Sequence, residues 1–206
     1  MNQYIQIKEK LLDVFKDRNI ESSFDELNEN EYRIIDFNRE KHPYKGRAFV
    51  LQYEDKKVFG IIKFNSKPQL RIDFTENEID KYFQIINEKQ TGFLPVDGKG
   101  TITDNNQSCC DFVFFNHHTF YFCEFKVFAT TESYLSIKQK REEATQQLVN
   151  TIKLFDEKLN TDYCNLTLQS YFISPPHFPK FNPDIQQLKI SFLEKNGIEL
   201  NEIYSK

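Results

Sequence analysis

The stretch CCDFVFFNHHTFYFCEFK, residues 109–126, constrains the fold of this chain more than any other segment. Two dense apolar runs flank the histidine pair His117-His118, a pattern typical of a β-hairpin whose strands are buried within a sheet. If the two histidines form the turn, the register brings Asp111 opposite Glu124. Because side chains alternate along a strand, Lys126 lies on the same face as these two carboxylates.

Facing carboxylates among Phe, Val and Cys side chains are costly, because like charges repel and burial removes their water. We therefore expect a cation between Asp111 and Glu124. Mg²⁺ or Mn²⁺ suits carboxylate oxygens and keeps several water ligands, one of which can become the nucleophile for phosphodiester hydrolysis. Lys126 can orient that water or stabilise the developing negative charge.

A structural alternative accounts for the same residues. Asp111 and Glu124 can lie on the exposed face of an edge hairpin, with Lys126 as their salt-bridge partner. The apolar character of both faces favours buried central strands instead.

The motif formed by Asp111 and Glu124-Phe125-Lys126, on adjacent strands followed by a helix and a further strand, resembles the PD-(D/E)XK nuclease superfamily. The resemblance covers roughly residues 76–173 and implies a core in the order helix, three strands, helix, strand. Cys110 stands where the motif has proline, a position that is frequently replaced in the superfamily.

The resemblance implies a role for each residue of the motif. Asp111 and Glu124 are implied metal ligands, the backbone carbonyl of Phe125 is a third ligand, and Lys126 is the catalytic lysine. Gln147, in the segment EEATQQLVN of the following helix, is the implied accessory residue.

Members of the superfamily often complete the site with an acidic residue on the first core helix, which we predict over residues 76–88. We choose Glu78 as this further metal ligand, while Glu76 and Asp80 remain open because periodicity does not separate the three.

Basic residues supply two further predictions of nucleic-acid contacts. Lys140 shares a helix face with Glu143 and Gln147 and is a candidate phosphate contact. The segment NREKHPYKGR, residues 38–47, either docks phosphates or is a solvated loop. Its basic residues are Arg39, Lys41, Lys45 and Arg47.

Hydrophobic periodicity predicts the remaining elements. It favours an amphipathic helix over residues 1–17, an antiparallel meander between residues 32 and 74, and a long helix over 136–159. A strand over 165–173, a helix over 184–195 and a last strand over 198–204 follow. We predict an α/β or α+β protein with a restriction-endonuclease-like mixed central sheet flanked by helices. Residues 1–74 form a subdomain of helix and β-meander, and residues 75–206 form the nuclease-like core.

Composition narrows the classes of function. The chain of 206 residues has a net charge of −4 and a pI near 5.7, which argues against coating nucleic acid through bulk positive charge. Four cysteines without CxxC spacing predict reduced core thiols. No apolar run is long enough for a membrane span and no signal peptide is evident, so we expect a cytoplasmic protein without a membrane partner.

These features lead us to expect a divalent-metal-dependent nuclease that uses Mg²⁺ or Mn²⁺ and acts on nucleic acid in restriction, repair or anti-phage defence. DNA is favoured over RNA as the substrate, and the sequence leaves both open. A nuclease-like scaffold that binds nucleic acid or a protein without cutting is the alternative. A homodimer, or one subunit of a defence or toxin assembly, is also consistent with the modest basic charge.

Overall fold

The computed structural model describes residues 2–18, 20–64, 67–86, 90–103, 108–160, 163, 165–179 and 183–205. Its helices are α1 (Gln3–Val14), α2 (Tyr134–Leu159) and α3 (Pro183–Asn196). Its strands are β1 (Asp25–Leu27), β2 (Glu31–Phe37), β3 (Arg47–Val50), β4 (Gln52–Glu54), β5 (Lys57–Phe64), β6 (Lys67–Phe74), β7 (Phe83–Ile86), β8 (Thr91–Pro95), β9 (Phe112–Phe115), β10 (Thr119–Phe125), β11 (Thr167–Ser174) and β12 (Glu199–Tyr204).

A mixed six-stranded sheet forms the centre of the fold, in the order β1-β8-β9-β10-β11-β12. Neighbouring strands from β1 to β10 are antiparallel, whereas β10, β11 and β12 are parallel. The parallel pairs are connected through α2 and α3, as parallel strands require crossover connections. All three helices contribute to one apolar core with the strands, through residues such as Leu11, Leu148 and Phe192. The predicted mixed sheet with flanking helices is confirmed.

Two small antiparallel sheets, β3-β2-β7 and β4-β5-β6, add further layers. Ile34 and Val50 of the first small sheet share a core with Phe112 and Phe125 of the central sheet. The opposite face of the same small sheet packs through Ile35 on the second. Because neighbouring residues of β2 enter different cores, this strand is buried on both faces.

The predicted helix over residues 76–88 is wrong. Glu76–Glu78 forms a single 3₁₀ turn, and Phe83–Ile86 is the strand β7, which pairs antiparallel with β2. The apolar spacing in this segment is compatible with a helix or a strand. Pairing with β2 stabilises the strand, because it provides backbone hydrogen bonds and buries Ile85.

The predicted hairpin register is confirmed. Phe115 pairs with Phe120 and Val113 pairs with Phe122 across β9 and β10. A slip by one residue would move each apolar side chain to the other face, so two buried faces fix the register strongly. The start of β9 therefore lies beside the end of β10.

The other predicted elements are confirmed with small changes in their ends. The apolar stripe of α2 is buried as expected, at Ala144, Leu148, Ile152, Phe155 and Leu159. The predicted meander pairs antiparallel throughout, but it is divided between the two small sheets.

Cys109, Cys110 and Cys123 are buried free thiols, as predicted, and Cys164 lies outside the described residues. Within the described ranges, no helix combines the length and apolar character needed to cross a membrane.

The N-terminal segment joins the central sheet directly. Tyr4, Ile7 and Leu11 of α1 lie in the core beneath that sheet, and β1 pairs with β8. The division of the chain at residues 74 and 75 stays a prediction.

A close approach at Gly92 in β8 gives a test of this packing. A Cβ atom there would lie 2.7 Å from Cζ of Phe115 and 2.8 Å from Cζ of Phe24. We expect Gly92→Ala to lower the free energy of unfolding by ~1–3 kcal/mol in urea denaturation, because the core is overpacked. Ile86→Ala is the control, since Ile86 is 78% exposed. A larger loss for the control than for Gly92→Ala would contradict the described packing.

Candidate active site

The ends of two central strands bring Asp111 and Glu124 together. Asp111 immediately precedes β9, and Glu124 is the penultimate residue of β10. The N–H of Phe125 donates to Oδ2 of Asp111 at 2.5 Å, which fixes the first carboxylate against the second strand. Asp111 is 9% exposed and Glu124 is 1% exposed. The alternative of an exposed edge hairpin is therefore wrong.

Lys126 connects this pair to α2. Its ammonium donates to a carboxylate oxygen of Glu124 and, at 2.7 Å, to Oε1 of Gln147. The amide Nε2 of Gln147 in turn donates to the carbonyl of Cys109 at 3.1 Å. The structure thus gathers Asp111, Glu124, Lys126 and Gln147 in one hydrogen-bonded group, as the sequence predicted.

The position of α2 above this group is fixed by a second, buried ion pair. Arg141 Nη2 donates to Glu202 Oε1 of β12 at 2.9 Å, and to the carbonyl of Pro179 at 2.8 Å. Both charged side chains are 5% exposed. Because breaking one partner of such a pair leaves a buried charge, this contact holds the helix firmly on the sheet.

Burial dominates the electrostatics of the two carboxyls. It raises the pKa of Glu124 to about 7, although the charge and hydrogen bond of Lys126, and a hydrogen bond with the Asp111 carboxyl, act in the opposite direction. Burial, and then the charge of Glu124, raises the pKa of Asp111 well above its usual range. Burial by itself would lower the pKa of Lys126, but the charges of the neighbouring Glu124 and Asp111 raise it overall. This side chain is therefore an ammonium at neutral pH.

One carboxylate oxygen of the group is buried without a hydrogen bond. This atom is Oε2 of Glu124, which has no hydrogen-bond partner in the part of the chain that the structure describes. A buried carboxylate oxygen without a partner carries a substantial desolvation penalty, which a cation would relieve.

The donor set fits a hydrated hard cation. Across the described ranges, no three His, Cys, Asp or Glu side chains are gathered closely enough to hold a metal by themselves. Mg²⁺ needs no such cage, because it binds through one or two carboxylates and keeps water or substrate phosphate as its other ligands. The predicted Mg²⁺ or Mn²⁺ stays a prediction, with Asp111 and Glu124 as its carboxylates.

The backbone of Phe125 suits the third ligand position that the resemblance implies. The N–H and C=O of one strand residue point toward the same neighbouring strand. Since the N–H of Phe125 donates to Asp111, the carbonyl of Phe125 leaves β10 on the side of Asp111.

Sequence reasoning missed Asp36, which approaches the same group from the first small sheet. Burial raises the pKa of Asp36 to about 6, and the charges of Lys126 and Asp97 also act on its carboxylate. The segment YRIIDF, residues 32–37, contains one indication of a buried carboxylate, since Asp36 shares a strand face with the apolar Ile34. The sequence does not show, however, that this face of β2 packs on the central sheet.

The predicted face of α2 with Lys140 lies at the rim of the site. Lys140 Nζ donates to Glu143 at 2.7 Å, and their side chains are 40% and 39% exposed. The charge of Glu143 also contributes to the raised pKa of Lys126. Lys140 is therefore accessible beside the site, and its contact with phosphate stays a prediction.

Glu78 lies elsewhere in the fold. The helix on which we expected it is absent, and its carboxylate accepts from Nε and Nη2 of Arg39, both at 2.9 Å, and from Thr75. The hydrogen bonds from Arg39 make the largest contribution to the lowering of the Glu78 pKa to about 2. The described contacts join Glu78 to Arg39 and Thr75, and none of them joins it to Asp111 or Glu124, so its role as a metal ligand stays a prediction without support from these contacts.

The basic segment 38–47 does not form one accessible surface. Arg47 is 3% exposed and donates to the carbonyls of Lys99 and Gly100, so it anchors a turn instead of facing solvent.

The other basic residues of this segment differ in their contacts. Arg39 pairs with Glu78, and Lys45 pairs with Glu40. Lys41 is exposed.

Comparisons of the chain with protein-family models, with curated proteins and with solved structures find no match. The interpretation of the site therefore depends on its own geometry and chemistry.

The raised pKa of Glu124 predicts the pH dependence of stability without metal. Between its ordinary value of 4.5 and about 7, the folded protein binds more protons than the unfolded chain. The free energy of unfolding should therefore fall as pH rises from about 5.5 to 8, with Glu124 contributing ~1–3 kcal/mol of that fall. Urea denaturation in EDTA measures the slope.

Glu124→Gln should reduce this slope by the contribution of Glu124, because position 124 then has no carboxyl to deprotonate, while Asp36 and Asp111, whose pKa values burial also raises, keep their share of the slope. Glu143→Gln is the matched control, since Lys140 lowers the pKa of Glu143 and its titration lies below this pH range. A slope unchanged by Glu124→Gln would show that Glu124 does not titrate in this range.

Proposed function

We propose that this protein is a divalent-metal-dependent nuclease that hydrolyses phosphodiester bonds of nucleic acid, DNA rather than RNA. The observation that carries the proposal is the buried group of Asp111, Glu124 and Lys126, in which one carboxylate oxygen has no hydrogen-bond partner among the described residues. Two enclosed carboxylates beside one ammonium are costly to a fold unless a ligand needs them.

The order of elements supports the relation to the PD-(D/E)XK superfamily. The superfamily core of helix, three strands, helix and strand corresponds to α1, then β8, β9 and β10, then α2 and β11. In this proposal the first core helix is α1, and the small sheets are an insertion between α1 and β8. The motif residues then occupy the ends of the second and third core strands.

In the proposed reaction, each residue has a distinct task. Asp111 and Glu124, with the Phe125 carbonyl, would hold the cation, which would supply polarisation of the scissile phosphate and lower the pKa of a nucleophilic water, so that the water can lose its proton to solvent. Lys126 stays protonated beside Glu124, so it stabilises negative charge on the phosphate and orients the water rather than removing a proton. Gln147 fixes the direction of the Lys126 ammonium. The partly exposed Lys140 would contact a neighbouring phosphate.

Cleavage assays test the proposal. The purified protein is incubated with plasmid, single-stranded DNA and RNA in Mg²⁺, Mn²⁺ or EDTA. We expect metal-dependent cleavage of DNA that falls ~100-fold or more in Asp111→Asn, Glu124→Gln and Lys126→Met. Lys153→Met, at an exposed position of α2, is the control and should cleave like the wild type.

The outcome separates the proposal from the non-cutting scaffold. Cleavage that persists in all three site variants would assign the activity to a contaminant and contradict the proposal. If the wild type neither cleaves nor gains thermal stability from Mn²⁺, the scaffold is favoured.

Neighbouring glutamines of α2 give a finer test of the accessory role. Gln147 contacts Lys126, whereas Gln146 is exposed and donates to Asn150. We expect Gln147→Ala to lower the cleavage rate ~10-fold or more, because Lys126 loses its orientation, while Gln146→Ala leaves it unchanged. Equal rates for both variants would remove Gln147 from the proposed mechanism.

A further inference from the structure

Asp36 carries a carboxylate into the space between the first small sheet and the central sheet. It lies on β2, where Ile34 faces the central sheet and the intervening Ile35 faces the second small sheet. Strand alternation places Asp36 on the face of Ile34. Its register partner on β3 is Ala48, a small side chain that leaves room for the carboxylate.

The environment of Asp36 does not satisfy its charge. The residue as a whole is half-buried, but its Oδ1 atom is enclosed and has no hydrogen-bond partner in the described parts of the chain. Lys126 is the first charged group that acts on this carboxylate, Asp97 is a second anion near it, and Lys45 is a cation with a smaller effect. Asp36 therefore shares the countercharge that Glu124 already uses.

The charge of Asp36 also acts on the carboxyls of the candidate active site. The charge of Asp36 contributes to the raised pKa values of both Asp111 and Glu124. Lys126 thus interacts with three carboxylates, of which Asp36 is also within the influence of Lys45, and two of the three have an enclosed oxygen without a partner among the described residues. This excess of negative charge extends across two layers of the fold.

From this arrangement we propose that Asp36 is a positioning residue of the cation site, accepting a hydrogen bond from a water of the hydrated cation held by Asp111 and Glu124. The inference rests on the proposed metal-dependent function and extends it to the added β-sheet. A role through water fits the described residues, because no three carboxylates are gathered at direct metal-ligand spacing. The first small sheet is then part of the site, and not only a cover for the central sheet.

Mn²⁺ binding tests this role independently of cleavage. The wild type, Asp36→Asn and Asp36→Ser are titrated with Mn²⁺, and free Mn²⁺ is measured by electron paramagnetic resonance. We expect both variants to bind at least about tenfold more weakly, as is typical when an outer partner of a metal site is removed. Asp73→Asn, which removes an exposed carboxylate from β6, is the control and should retain wild-type affinity.

The melting temperature in EDTA distinguishes this role from a structural one. Removing one of three mutually repelling carboxylates should leave the metal-free variants as stable as the wild type or more stable, although they bind the cation more weakly. A structural role predicts lower melting temperatures for both variants with Mn²⁺ affinity retained, which would overturn the inference.

The proposed function and this inference fail in different ways. If Asp36→Asn and Asp36→Ser bind Mn²⁺ like the wild type while Glu124→Gln does not, only the role of Asp36 is rejected. If the wild type itself does not bind Mn²⁺, the proposed function fails together with the inference.

Discussion

The buried ion pair between Lys126 and Glu124, beside Asp111, is the interaction on which the rest of the structure depends. Asp111 lies beside this ion pair only because β9 and β10 pair in one register, since a slip by one residue would separate the two carboxylates. It also requires α2 at its observed position, because Gln147 orients the ammonium from that helix. A fold that needed only stability would gain from apolar residues here, as buried charges rarely repay their desolvation. Their retention is the physical reason to infer a ligand.

Different layers of the fold contribute different residues to the candidate site. The helix layer and central sheet supply the motif residues, and Lys140 lies at the accessible rim. On the other face, the first small sheet places Asp36 beside the same charges. Arg47, which the sequence assigned to a nucleic-acid surface, instead holds the turn at Lys99 and Gly100. The segment 38–47 therefore offers fewer accessible basic residues than the sequence predicts.

The sequence predicts the central hairpin well and the surrounding layers less well, for physical reasons. Two dense apolar strands around His117-His118 leave one favourable register, so Asp111, Glu124 and Lys126 follow from local pattern alone. The segment that ends in β7 has apolar spacing compatible with helix or strand, and its partner β2 lies about fifty residues earlier in the chain. Asp36 was missed because its neighbours are set by packing between sheets. No local pattern encodes that contact.

The most direct test of the central claim is a crystal structure of the protein grown with Mn²⁺, with anomalous diffraction measured at the manganese edge. We predict one strong anomalous peak in contact with the carboxylates of Asp111 and Glu124 and near the carbonyl of Phe125. A structure at saturating Mn²⁺ with no peak between those carboxylates, and with Lys126 paired to Glu124 as described above, would contradict the central claim.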